Sequence, residues 1–169
     1  MNQLDPSSDL LVTVSRELAE FLGTDYQFAI TALYALLSQA MLAQHQLIPA
    51  REIIRKGVAT AEQTSERMFE AEFLRLKARA LVIEGGSGMS SNAQKLLEDA
   101  LALALSQKAR SLELRAAADL ARLRRAQGRD AEARDLLAPV YGWFTEGFDT
   151  PDLKEAELLL DELKRRGRK

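Results

Sequence analysis

Residues 112–163 read LELRAAADLARLRRAQGRDAEARDLLAPVYGWFTEGFDTPDLKEAELLLDEL. The stretch parses as a helix, a tight turn at Gly128, a second helix, an aromatic knot, a Pro-started turn and a last helix. Tyr141, Phe144 and Phe148 stand at i, i+3 and i+7, which puts them on one helical face if the helix persists that far, and predicts a buried knot. Trp143 points elsewhere and reads as core or a packed edge, with a binding anchor as the alternative. Pro139 cannot donate to Asp135 and predicts a kink. Thr150 and Pro151 suit the N-cap and first positions of the final helix. There Leu153, Ala156, Leu160 and Leu163 form one apolar face, while Glu155, Asp161 and Glu162 face water. A stack of helices needs such a helix to cover its last open face.

The rest of the chain repeats the first part of this plan. At 169 residues it is one domain-sized unit, long enough to bury roughly two-thirds of its unfolded surface. Apolar residues make up 47%, and most are Ala and Leu, which favours helix over strand. Cysteine is absent, so disulfides and thiolate metal sites are ruled out, in keeping with a reducing cytoplasm. No basic-then-apolar leader opens the chain, and the first apolar run is broken by Arg16, Glu17 and Glu20; a soluble, cytoplasmic protein is expected. The net charge of −2 hides an asymmetry, because the closing KRRGRK carries five positive charges. That leaves 18 basic (23 less 5) against 25 acidic side chains before it. The tail reads as a solvated end beside a helix C-terminus, with a nucleic-acid or acidic-surface contact as the alternative.

Eight helices are expected. The first ends near Leu22, with Leu11, Val14, Leu18 and Phe21 on one face, and Gly23 stops it. The others span about 24–44, 49–63, 66–84, 91–107, 111–127, 130–145 and 151–165. The run from Gly85 to Gly88 lacks the following Lys-Ser and the preceding strand of a phosphate loop, so it reads as a lengthened turn.

Three pairs of helices share a pattern of large and small residues. Tyr34-x-x-Leu37-Ser38-x-x-Met41 goes with Ala50-x-x-x-Ile54. Leu74-x-x-Lys77-Ala78-x-x-Leu81 goes with Ala93-x-x-x-Leu97, and Ala117-x-x-Leu120-Ala121-x-x-Arg124 with Ala133-x-x-x-Leu137. Small residues are needed where two helices cross closely, and large ones fill the gaps between pairs. The pattern resembles the tetratricopeptide repeat, with longer spacings of 40 and 43 between Ser38, Ala78 and Ala121. Lys77, Ala117 and Arg124 depart from it. Residues 32–163, and Gly142-Trp143-Phe144-Thr145-Glu146-Gly147-Phe148 above all, resemble the tetratricopeptide-like region of bacterial cyclase-linked predicted ATPases and large transcription activators. The resemblance implies an all-α, right-handed superhelical array of antiparallel helix pairs. Its layout would be an N-terminal capping region (1–27), three repeats (28–64, 66–108, 111–148), a capping helix (150–165) and a basic tail (166–169). Family members carry the region behind cyclase, ATPase or DNA-binding domains, and none is present here.

Catalysis finds no foothold, so the chain reads as non-enzymatic, without metal or cofactor. His45 is the single histidine and falls at a turn equivalent to Gly85 and Gly128. In tetratricopeptide families the first helix of each pair lines a concave groove. Carried over in register, the groove positions are Ala35, Gln39 and Leu42, then Glu72, Arg75, Arg79 and Val82, then Arg115, Ala118, Arg122 and Arg125. The resemblance implies a protein-recognition module in bacterial signalling or regulation. Gln39, Arg75, Arg79, Arg115, Arg122 and Arg125 would grip the carboxylates of an acidic peptide or partner segment. The competing reading is a solvated face whose arginines pair with Glu72, Glu113 and Asp119. Two further alternatives are a scaffold that dimerises through an open end of the stack and, less favoured, a nucleic-acid contact. The acidic total and the lack of aromatics among the basic residues argue against nucleic acid.

Overall fold

A computed structural model describes residues 26–85 and 89–166, with Thr13, Glu17, Glu20 and Gly23 ahead of them. Seven helices occupy the described residues and no strand does: α1 (Tyr26–Ala43), α2 (Leu47–Thr64), α3 (Glu70–Glu84), α4 (Met89–Ser106), α5 (Arg110–Ala126), α6 (Asp130–Tyr141) and α7 (Pro151–Arg166). The all-α expectation holds. The expected first helix and the turn at residues 86–88 lie outside the described residues, apart from helical Thr13, Glu17 and Glu20. The end of the basic tail, residues 167–169, lies outside them too.

Each helix packs on the next in sequence, and short connections between packed neighbours make them antiparallel. Beyond that, α1 touches α3, α3 touches α5, and α5 touches α7, whereas no even-numbered helix touches another. The odd helices therefore form one continuous layer with the even helices outside it. Three apolar clusters follow one another along this layer. The first joins Tyr34, Leu42, Ile54, Phe73 and Leu76; the second Ala78, Leu97, Leu120 and Leu123; the third Leu114, Leu137, Leu153, Leu160 and Leu163.

Small residues let the helices close. Ser38, Ala50, Ala78, Ala93, Ala121 and Ala133, the six small positions of the sequence pattern, all have zero exposure. Gly57 goes further: a Cβ there would lie 2.4 Å from Cζ of Phe73 and 2.9 Å from Cβ of Tyr34. Gly57 is thus where α2 lets the Phe73 ring slide beneath it.

Four helices end in the same closure. His45, Ser65, Lys108 and Gly128 have φ of +58°, +56°, +56° and +76°. After each, the next N–H bonds back five residues: Gln46 to Met41, Glu66 to Ala61, Ala109 to Ala104 and Arg129 to Arg124. This satisfies carbonyls that a helix end leaves open. His45 and Gly128 are turn residues, as their sequence positions suggest.

Three local expectations are corrected. The fourth expected helix begins at Glu70 rather than Glu66, because the Glu66 carboxylate accepts from the Met68 N–H at 2.5 Å and from the Thr31 hydroxyl at 2.7 Å. Glu66 thereby ties the α2–α3 turn to α1. Helix α6 ends at Tyr141, short of Thr145, so the aromatics do not share a helical face. Tyr141 still meets Phe148, with ring centroids 6.0 Å apart, and Phe144 meets Trp143 at 5.3 Å. Tyr141 and Phe144 pack on the third cluster, while Trp143 stays exposed beneath the Arg110 guanidinium, 4.8 Å from its ring centroid. Thr150 does precede α7, but its hydroxyl donates backward to the Gly147 carbonyl at 2.7 Å instead of capping forward.

Candidate functional site

The odd-helix layer carries a charged seam. At its centre is Arg75 on α3, 3% exposed. The α3 backbone places Glu72 one turn earlier, and the Glu72 carboxylate accepts from Nε at 2.9 Å and Nη2 at 2.7 Å. Asp119 of α5 accepts from Nη1 at 2.6 Å, and the Gln39 side-chain carbonyl of α1 accepts from Nη2 at 3.0 Å. One guanidinium therefore joins three odd helices. Burial alone would lower its pKa, but the Glu72 hydrogen bonds and the Asp119 and Glu72 charges outweigh it. Arg75 is held well above the ordinary arginine value. It is a permanent cation in a closed cage.

From that centre the seam runs to α7. Arg122 donates to Asp119 at 2.8 Å and to Glu155 at 2.8 Å. Arg115 donates from Nε to Asp152 at 2.6 Å and approaches Glu72 at 3.5 Å, and Arg125 pairs with Glu162. The order 115–152, 122–155, 125–162 makes α5 and α7 parallel, with a basic stripe on one facing an acidic stripe on the other. Arg79 differs from the rest. It is half-buried on the same face of α3 as Arg75 and forms no hydrogen bond or ion pair with the described residues.

A cavity of about 150 Å³ opens over this seam, walled by Arg75, Arg79, Arg115, Arg122, Asp152 and Glu155. Arg79 and Arg122 also border a second, more apolar space of about 410 Å³ lined by Val82, Ile83, Leu97 and Leu123. The two share a wall and form one groove.

The chain matches no family model, no curated protein and no solved structure. Geometry alone sorts the six sequence-picked residues. Arg75, Arg79, Arg115 and Arg122 are brought together around one cavity, with Gln39 beside Arg75. Arg125 lies on the α5–α7 contact, outside that cavity's walls. Of the carboxylates named for the solvated reading, Glu72 and Asp119 do hold groove arginines, but Glu113 is buried against Arg110 at 2.6 Å.

Sequence reasoning missed the acidic wall. Glu155 and Glu162 do face water, as their positions on the capping helix suggest, yet each also holds an arginine of α5, and so does Asp152, which the sequence reading left without a role. Their spacing of 3 and 7 beside the 7 and 3 of Arg115, Arg122 and Arg125 was the available signal. Among the described residues no group of three or more His, Cys, Asp or Glu is placed to hold a metal ion. No described helix is long and apolar enough to cross a membrane.

Proposed function

We propose that this chain is a non-catalytic protein-recognition module built of tetratricopeptide-like antiparallel helix pairs in a right-handed superhelical array. On this reading the odd helices present the groove, and it takes an acidic segment of a partner protein in bacterial signalling or regulation. The observation that carries it is Arg79: a guanidinium uncommitted among the described residues, in the wall of a groove whose other arginines are spoken for. A partner carboxylate meets Arg79 first. It then competes for Arg122, whose partner Glu155 is 63% exposed and belongs to the class of surface pairs worth about 0–1 kcal/mol. Arg75 and Gln39 hold the groove's floor and do not leave their cage. The apolar end at Val82, Ile83 and Leu123 receives the partner's adjoining side chain.

The test is a lysate pull-down read by mass spectrometry, comparing wild type with Arg79→Glu/Arg122→Glu, both checked for fold by circular dichroism. The expected result is a protein with an acidic segment that is captured by wild type and lost in the variant. Identical capture lists would discard the groove reading, and material released by nuclease would favour nucleic acid instead.

A second reading, a scaffold that self-associates, draws support from Leu36 on α1, which is 61% exposed. A mass that rises with concentration and falls back in Leu36→Glu would favour it.

A further inference from the structure

The sequence pattern has one discordant residue on the other side of α3. Lys77 stands where the companion pairs have Leu37 and Leu120. Two residues from both Arg75 and Arg79, it lies about 200° around the helix from each, away from the odd-helix groove. Leu120 at the matching position is 1% exposed, closing its gap with an apolar side chain. Lys77 is half-buried instead. It lines two cavities in series, of about 400 Å³ and about 310 Å³, that share it and Val58.

Together these cavities make a trough along the seam of α2 and α3. Its floor is apolar, with Ile54, Val58, Phe73, Leu74 and Leu81. Its length along α2, from Arg51 to Ser65, is about 21 Å at ~1.5 Å per residue, four helical turns. No second even-numbered helix packs across it, because α2 and α4 do not touch. The rim cations are committed, Arg51 to Glu84, Arg55 to Glu52 and Arg67 to Glu70. The Lys77 side chain, half-buried at mid-trough, forms no hydrogen bond or ion pair with the described residues, and the Glu62 carboxylate toward the Ser65 end forms none with them either.

We infer that this trough is a second docking site, for an amphipathic helical segment of a partner protein. The segment lays an apolar ridge of i, i+3, i+4 and i+7 side chains on Val58, Leu74 and Leu81, the half-buried apolar side chains of the trough. A carboxylate at its middle meets the Lys77 ammonium, and a cation nearer the Ser65 end meets Glu62. The two lone charges of opposite sign fix the direction in which the segment lies. A leucine at position 77 would complete the packing and lose that recognition, so the lysine serves binding rather than the fold.

The experiment is selection of a displayed library of random 16-residue peptides on the full chain, followed by affinity measurement of enriched peptides on variants. Lys77→Leu restores the pattern residue and Lys77→Glu reverses the charge. Expected is a family of amphipathic peptides carrying one Asp or Glu. Their affinity falls about tenfold or more in Lys77→Leu, stays unchanged in Arg79→Glu, and is regained in Lys77→Glu by peptides with Lys in place of the acid. Failure to enrich any peptide overturns the inference. So does enrichment of peptides that are indifferent to Lys77, and those lost in Arg79→Glu belong to the odd-helix groove. A dimer of the chain alone that dissociates in Lys77→Leu would give the trough to a second copy and overturn it as well.

Discussion

Arg75 shows what separates a charged side chain from a binding residue. Its guanidinium is saturated by Glu72, Asp119 and Gln39, and it is as buried as the leucines around it. Such a group contributes through what its loss leaves behind. Arg75→Met is expected to destabilise the fold by roughly 3–5 kcal/mol, because Glu72 and Asp119 would stay buried with one guanidinium fewer. Chemical denaturation checks it, and a loss under about 1 kcal/mol would mean that water or Arg115 fills the cage. Charge reversal at position 75 therefore reports on folding, whereas Arg79 and Arg122 are the places to ask about recognition. The sequence places Arg75 on the correct helix face, and Glu72 at i−3 hints at a pair. That Asp119, 44 residues away, completes the cage is not legible from spacing.

At the scale of elements, the turns carry as much information as the helices. His45, Ser65 and Lys108 adopt a left-handed conformation that glycine takes at Gly128 without steric cost. Lys108→Gly is accordingly expected to stabilise the protein by about 0.5–1 kcal/mol, read as a rise in denaturation midpoint at unchanged slope. A destabilised variant would show that the Lys108 side chain matters more than its backbone. Helix existence and order were readable because Ala and Leu recur at the helical period. The start at Glu70 was not, since a Glu66 side chain bound to Thr31 and Met68 delays that helix.

Across the whole molecule, α7 holds the structure closed. It buries Leu153, Ala156, Leu159, Leu160 and Leu163 against α5 and α6 and brings the acidic stripe to Arg115, Arg122 and Arg125. Four buried leucines at about 1.5–3 kcal/mol each amount to most of a typical domain's stability of ~5–15 kcal/mol. A chain ending at Asp149 is expected to lose its cooperative thermal transition and elute as aggregate on size exclusion. A folded monomer would show that the third cluster stands without its cover. The sequence by itself determined the helical class, the order of the helices, the six small crossing residues and the apolar face of α7, because each follows from periodicity within about four residues. Only the tertiary structure decided that Arg75 is caged, that the side chains of Arg79 and Lys77 have no polar partner among the described residues, and that the acids of α7 are partners of α5. Those outcomes depend on which side chains from distant turns arrive within about 3 Å of one another, and a pattern that repeats every 40 or 43 residues sets the neighbourhood without setting the pairing.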